Sequence, residues 1–337
     1  MHIAFHFFEL LYPLIMIKIL MVLLSVFFCS SLLAKNFVYQ FVPEDLMTSQ
    51  FMQLSSISSL GISKGRINGL SVSELSGLAW DEQRKLLYAI SDSGILYHIQ
   101  LTIKQGKILK AKVLCAYKLR NKVGHTFKRI ERDAEGLSLK RNQKGVVTEL
   151  IISFERKFRI ARFTLQGRFL GNIKLPKNLR NKRNYQSRNK GLESVTLHPK
   201  FGVITAAELP LKTSPRHYQT LYSNKGQMWH FKQSPHRNSS VTGLETLPNG
   251  DVLVLERSYS GLFSAIVISL RQVKLSACNA KRQCAVKDIA IFNSVDGWRI
   301  DNFEGLTHYR GKQYIMVSDD NESPLQSTVL VLFEIKP

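Results

Sequence analysis

The sequence predicts an all-β protein: a single β-propeller of five four-stranded blades, its ring closed by a strand from the N-terminal part of the chain. Three observations carry that expectation. A two-part motif recurs five times, an acidic residue beside Gly-Leu followed by a second acid at the end of the next apolar run. Its glycines, Gly77, Gly136, Gly191, Gly243 and Gly305, lie 59, 55, 52 and 62 residues apart, close to the length of a four-stranded blade with its loops. From Leu75 onward short β runs alternate with turns, and no long stretch carries a helical period.

Taken in chain order, residues 1–34 differ in kind from the rest. An apolar run from Ile19 to Phe28 follows Lys18 and ends in Cys29-Ser-Ser-Leu-Leu-Ala34 before Lys35, the pattern of a secretory signal peptide. Translation starts at Met1 or at Met16, the latter giving the cleaner basic lead. An uncleaved anchor is the competing reading of the same stretch, whereas Val26-Phe-Phe-Cys29 lacks the small residues that precede a lipidated cysteine. After cleavage no stable membrane span is expected, and the protein is expected to be exported, periplasmic or secreted, as a monomer. Residues 35–70 read as a lead-in that supplies the closing strand, and residues 71–337 as the propeller.

The blades follow. The first copy pairs Glu74-Leu-Ser-Gly-Leu78 with Tyr88-Ala-Ile-Ser-Asp92, and the second pairs Asp133-Ala-Glu-Gly-Leu137 with Ile151-Ile-Ser-Phe-Glu-Arg156. The third and fourth join Gly191-Leu-Glu193 to Glu208 and Gly243-Leu-Glu245 to Glu256-Arg257. The fifth, Asp301-Asn-Phe-Glu-Gly-Leu306 with Ser318-Asp-Asp320, is followed by only about one more strand, so an N-terminal strand must complete it. A degenerate sixth blade near the N-terminus is the alternative count. Trp80, Trp229 and Trp298 are expected to pack between blades.

Composition fits this picture: 337 residues, 44% apolar and 21% charged, are enough for a full core. Cys278 and Cys284 bracket a short polar loop and are expected to form a disulfide in an oxidising compartment, while Cys115 reads as a buried small hydrophobe. The net charge of +22 implies an anionic partner: a phosphorylated small molecule, nucleic acid, or an anionic membrane or envelope surface. Nucleic acid is disfavoured by export and by the lack of a recognition motif.

Topology turns the repeat into a site. The start of a blade's first strand and the end of its second lie at the same end of the ring, so both acids of every copy gather on one face. Two loops expected on that face are strongly basic: Lys118 to Arg132 holds six Lys or Arg, and Lys174 to Lys190 holds seven and no acid. Thirteen of the 25 Asp and Glu residues occupy repeat positions. Their repulsion must be relieved, either by a hard divalent cation, with Ca²⁺ the expected ion, or by arginines in inter-blade salt bridges. Residues that break the fivefold pattern are the better candidates for chemistry. Asp133, Glu135, Asp301, Asp319 and Asp320 are expected to hold the cation, and Asp133, Glu135, Asp301 and Glu304 to act catalytically. Arg156, Arg257, Arg129 and Arg132 are expected to hold substrate phosphate through bidentate bonds.

These motifs, above all Asp133-Ala-Glu-Gly-Leu137, Ser153-Phe-Glu-Arg156, Asn189-Lys-Gly-Leu-Glu-Ser194 and Asp301-Asn-Phe-Glu-Gly-Leu306 with Ser318-Asp-Asp-Asn-Glu-Ser-Pro-Leu-Gln326, resemble the bacterial phytase-like family, known by its "esterase-like activity of phytase". The resemblance covers roughly residues 70 to 337. It implies an exported propeller that hydrolyses phosphomonoesters or other esters. The rival reading is a non-catalytic propeller that binds an anionic ligand or envelope partner.

Overall fold

The computed structural model describes residues 34–46, 50–187, 189–261 and 264–336; residues 1–33 of the expected export segment therefore lie outside it. The chain enters through a short strand β1 (Asn36–Phe37), a long strand β2 (Leu54–Ile62) and a hairpin of β3 (Gly65–Ile67) and β4 (Leu70–Val72). Blade 1 follows as β5 (Leu75–Asp81), β6 (Leu86–Ser91), β7 (Ile95–Lys104) and β8 (Lys107–Lys118). Blade 2 is β9 (Ala134–Arg141), β10 (Val147–Phe154), β11 (Arg159–Phe163) and β12 (Phe169–Ile173). Blade 3 is β13 (Ser194–His198), β14 (Gly202–Ala206), β15 (Tyr218–Ser223) and β16 (Met228–Lys232). Blade 4 is β17 (Ser239–Thr246), β18 (Val252–Ser258), β19 (Val267–Cys278) and β20 (Gln283–Asn293).

Blade 5 takes only three strands from the C-terminal part, β21 (Asn302–Arg310), β22 (Gln313–Asp319) and β23 (Thr328–Ile335). Its fourth strand is β2, which pairs antiparallel with β23 from Leu54 opposite Ile335 to Ile62 opposite Thr328. The N-terminal part thus closes the ring, as the short final copy predicts, and covers an edge that would otherwise be free to pair. Within every blade the ladders are antiparallel, and the innermost strands meet in the cyclic order β5, β9, β13, β17, β21 and back to β5. This fixes the blade number at five.

Both faces of each blade are apolar because period-2 alternation alone would leave one face wet, and here each face meets a neighbour. Five separate core clusters result, one per inter-blade seam. Leu78 and Tyr97 of blade 1 pack on Ile315 and Leu330 of blade 5, and Ile204 and Leu221 of blade 3 pack on Val252 and Val254 of blade 4. Trp80, Trp229 and Trp298 each sit in one of these seams. Blades 3 and 4 are further joined at their outer edges, where β16 and β20 run parallel with His230 opposite Gln283. Beside that junction Cys278 and Cys284 form a disulfide across the β19–β20 hairpin. No helix among the described residues is long and apolar enough to cross a membrane.

Candidate functional site

The inner strands approach one another backbone to backbone, which is what the repeated glycine permits. A Cβ on Gly77 would lie 2.3 Å from the carbonyl oxygen of Glu135 in the next blade, and one on Gly243 would lie 2.7 Å from that of Glu304. In four blades the residue just before this glycine occupies a β-bulge. Ser76 falls between the pairs Leu75–Ser91 and Gly77–Ile90, Thr242 between Val241–Glu256 and Gly243–Leu255, and Glu304 between Phe303–Ser318 and Gly305–Val317. Glu135 is displaced in the same way between Ala134–Phe154 and Leu137–Ile152. A bulge frees its residue from the ladder and re-aims the side chain, here towards the central channel.

Two rings of side chains follow. The first, from the bulge position and its blade 3 equivalent, is Ser76, Glu135, Glu193, Thr242 and Glu304. The second, from the ends of the second strands, is Asp92, Glu155, Glu208, Arg257 and Asp319. Equivalence of the blades is fixed by backbone bonds: the N–H groups of Asp92, Glu155 and Glu208 donate to the carbonyls of Glu74, Asp133 and Gly191. Gly191 is thus the counterpart of Glu74 and Asp133, and Ser194 stands where the other blades have glycine. Measured on these residues the repeat is 59, 58, 49 and 62. Glu245 and Glu256 fall out of the rings, and Arg257 takes the place of an acid in blade 4.

The carboxylates converge in three overlapping groups whose ligand atoms lie within 4.8 Å of one another: Asp92–Glu135–Glu304, Asp133–Glu135–Glu155 and Glu155–Glu193–Glu208. Every member except Asp92 is buried, Asp92 being half-buried. Burial first, then the charge of neighbouring carboxylates, pushes Asp92, Glu135 and Glu193 well above the ordinary carboxylate range. Burial and a hydrogen bond with Asp133 push Glu155 up to about 8. Asp319 also rises to about 8, through burial and the charge of Glu304. Burial and mutual repulsion thus favour the protonated forms of these carboxyl groups.

Among the described residues, three basic side chains reach the cluster. Arg156 Nε lies 3.2 Å from Asp133 Oδ2, Lys190 Nζ lies 2.7 Å from Glu208 Oε1, and Arg257 Nη1 lies 3.0 Å from Glu304 Oε1 with Nη2 4.0 Å from Glu208 Oε1. Burial works against the Arg257 charge, but the carboxylates around it outweigh that and hold its pKa above the ordinary value. Lys190 ends the second basic loop, and the two loops run from the outer strands β8 and β12 to the inner strands β9 and β13 on the cluster's side of the ring. Arg129 and Arg132 lie exposed in the first loop, around a 3₁₀ turn at Arg129–Glu131.

Of the residues singled out from sequence, Asp133, Glu135, Glu304, Arg156 and Arg257 come together at this mouth. Asp319 joins through the second ring, with Oδ1 accepting the Asn321 N–H at 2.7 Å. Asp301 and Asp320 serve backbone amides instead. Asp301 accepts the N–H of Asn302 at 3.0 Å and of Ser327 at 2.7 Å; Asp320 accepts those of Glu74 and Glu322, each at 3.1 Å. Among the described residues, neither belongs to a group that could converge on one ion. Conversely, Asp92, Glu155, Glu193, Glu208 and Lys190 are in the cluster. The acids were visible in the sequence as repeat members, but their convergence depends on the closed ring.

Below the cluster the channel narrows to a void of about 10 Å³ between the five inner strands, around Leu78, Leu137, Val195, Leu244 and Leu306. It reopens at the opposite face into a cavity of about 570 Å³, where Glu245 stands among Ser138, Thr196 and Thr307.

Two solved propellers resemble the chain in fold. The WD40 β-propeller domain of Doa1 aligns over 91% of this chain and 98% of its own at 9% identity, with a TM-score of 0.39. The β-propeller domain of Cps50 (Swd1) from Myceliophteria thermophila aligns over 81% of this chain and 100% of its own at 8% identity, with a TM-score of 0.35. No curated protein matches the chain. The family model described as phytase-like, "esterase-like activity of phytase", matches residues 71–322, a span that includes both rings and both basic loops. The chain therefore belongs to the phytase-like family.

Proposed function

We propose that this protein is an exported, metal-assisted phosphoester hydrolase acting on an anionic substrate at the carboxylate-lined mouth of the channel. The observation that carries the reading is the convergence of Asp133, Glu135 and Glu155 from two strands of blade 2, buried and flanked by basic loops. Three carboxylates within reach of one point fit a hard divalent cation, with Ca²⁺ the best match to an all-oxygen set. When bound, such an ion would polarise a phosphoryl oxygen and acidify adjacent water. Arg156, ion-paired to Asp133, and Arg257 and Lys190, paired to Glu304 and Glu208, supply positive charge for the phosphate. The two basic loops raise the local concentration of a polyanion such as an inositol phosphate. Export is supported by the apolar segment before Lys35 and by the disulfide.

The test is phosphate release from phytate and from p-nitrophenyl phosphate with Ca²⁺ or Mg²⁺. Turnover that disappears with chelator and in Glu135→Gln supports the reading; no turnover with any metal overturns it. A second reading, a non-catalytic propeller that binds an anion, is favoured by one feature: Arg257 ties blade 4 to Glu304 of blade 5 and Glu208 of blade 3, so these acids also hold blades together. Under that reading phytate binds without turnover.

A further inference from the structure

We propose that Glu155, Glu193 and Glu208 form a second divalent-cation site, next to the one at Asp133 and Glu135 and sharing Glu155 with it. The paired arrangement rests on the hydrolase reading above, whereas the second site stands on its own residues. Its three carboxylates come from the end of β10, the start of β13 and the end of β14, and their ligand atoms lie within 4.8 Å of one another.

Among the described residues, one buried carboxylate oxygen at this site has no hydrogen-bond partner. Glu208 is 2% exposed; its Oε1 takes the Lys190 ammonium, but its Oε2 is buried with no donor. Leaving a buried carboxylate oxygen without a donor or cation is costly, so such an atom marks a missing partner. The third group, Asp92–Glu135–Glu304, shows the contrast. There Ser76 Oγ donates to Asp92, and Arg257 and Asn302 Nδ2 donate to Glu304 Oε1 at 3.0 and 2.8 Å, so the protein satisfies those oxygens itself.

Charge balance points the same way. Among the described residues, the two rings and Asp133 hold eight carboxyl groups against three basic side chains, Arg156, Lys190 and Arg257. With all eight ionised, one divalent ion leaves the cluster with a net charge of about minus three and two leave about minus one, the smaller residual repulsion in a buried setting. Oxygen-only donors select Ca²⁺ over softer-ligand metals. Lys190 and Arg257 border this site, so a phosphate oxygen of a bound substrate would meet positive charge from both the ion and these side chains.

Calorimetric titration of the full chain with CaCl₂, after chelator treatment, tests the proposal in the wild type, Glu208→Gln, Glu193→Gln and Asp133→Asn, with circular dichroism as the folding control. The expected result is two Ca²⁺ per chain in the wild type and one in each variant. One ion in the wild type, retained in Glu208→Gln and Glu193→Gln but lost in Asp133→Asn, overturns the second site and leaves the hydrolase reading standing. One ion retained in Asp133→Asn but lost in both glutamine variants upholds this site and removes its neighbour. No binding to the folded wild type overturns both.

Discussion

Glu245 gives the sharpest quantitative prediction because it is far from the carboxylate cluster, beyond the apolar narrowing of the channel. Its environment lifts its pKa from 4.5 to about 8, chiefly through burial, with the Arg141 charge and a backbone hydrogen bond from His308 pulling the other way. In the unfolded chain the group ionises near pH 4.5, while in the folded protein it keeps its proton until near pH 8. The folded state therefore binds more protons across that window, and stability falls as pH rises through it. At about 1.4 kcal/mol per pKa unit the ceiling of the effect is about 5 kcal/mol. Glu245→Gln keeps the shape of the neutral acid and cannot ionise. Urea unfolding at pH 5, 7 and 9 should find the variant within about 1 kcal/mol of the wild type at pH 5 and more stable by several kcal/mol at pH 9. A difference that stays constant from pH 5 to pH 9 would refute the reasoning.

Other perturbations follow from the same contacts. Gly77→Ala sets a methyl group 2.3 Å from a backbone oxygen of the next blade, which cannot move without opening the ring, so denaturant titration should show a loss of about 3 kcal/mol or more. Arg271, 6% exposed, bonds Glu256 at 2.9 Å and Asp288 at 3.0 Å; Arg271→Met strands the buried Glu256 and should cost about 3–5 kcal/mol, most strongly above neutral pH, in thermal unfolding. Replacing both Cys278 and Cys284 by serine opens a loop of sequence separation 6, worth about 2 kcal/mol by the loop-entropy relation, and reduction of the wild type should match the double variant.

The blade grammar was legible because it is local: alternation, turns and one glycine per inner strand can all be read from short windows. Even the closing strand could be inferred, since a three-stranded last copy demands a partner. The register of blades 3 and 4 was not legible. Gly191-Leu-Glu193 and Gly243-Leu-Glu245 look alike, yet one glycine abuts the carbonyl oxygen of Glu155 and the other the carbonyl oxygen of Glu304, three residues apart in the repeat frame. The bulge at Thr242 in blade 4 and the bond from the Glu208 N–H to the Gly191 carbonyl in blade 3 decide the frame, and both depend on the facing strand. The same limit applies to the site. Asp301 and Asp320 break the fivefold pattern and so attracted attention, but their carboxylates meet nearby amide groups. Glu193 and Glu208 seemed ordinary copies, and ring closure brings them to within 4.8 Å of Glu155. Repetition is what concentrates charge at a propeller's axis, so here the regular members, more than the exceptions, build the carboxylate cluster.

The central claim is that these carboxylates await a divalent cation. Its most direct test is the melting temperature of the chain in CaCl₂ against a chelator, for the wild type and Glu135→Gln, whose side chain belongs to two of the three groups. A cation at a hundredfold excess over its Kd adds about 2.7 kcal/mol, equivalent to a rise of about 4 °C for a domain of this size. The account predicts that rise in the wild type and a smaller one in Glu135→Gln, which keeps the Glu155–Glu193–Glu208 group; identical melting of the wild type in CaCl₂ and in chelator would contradict it.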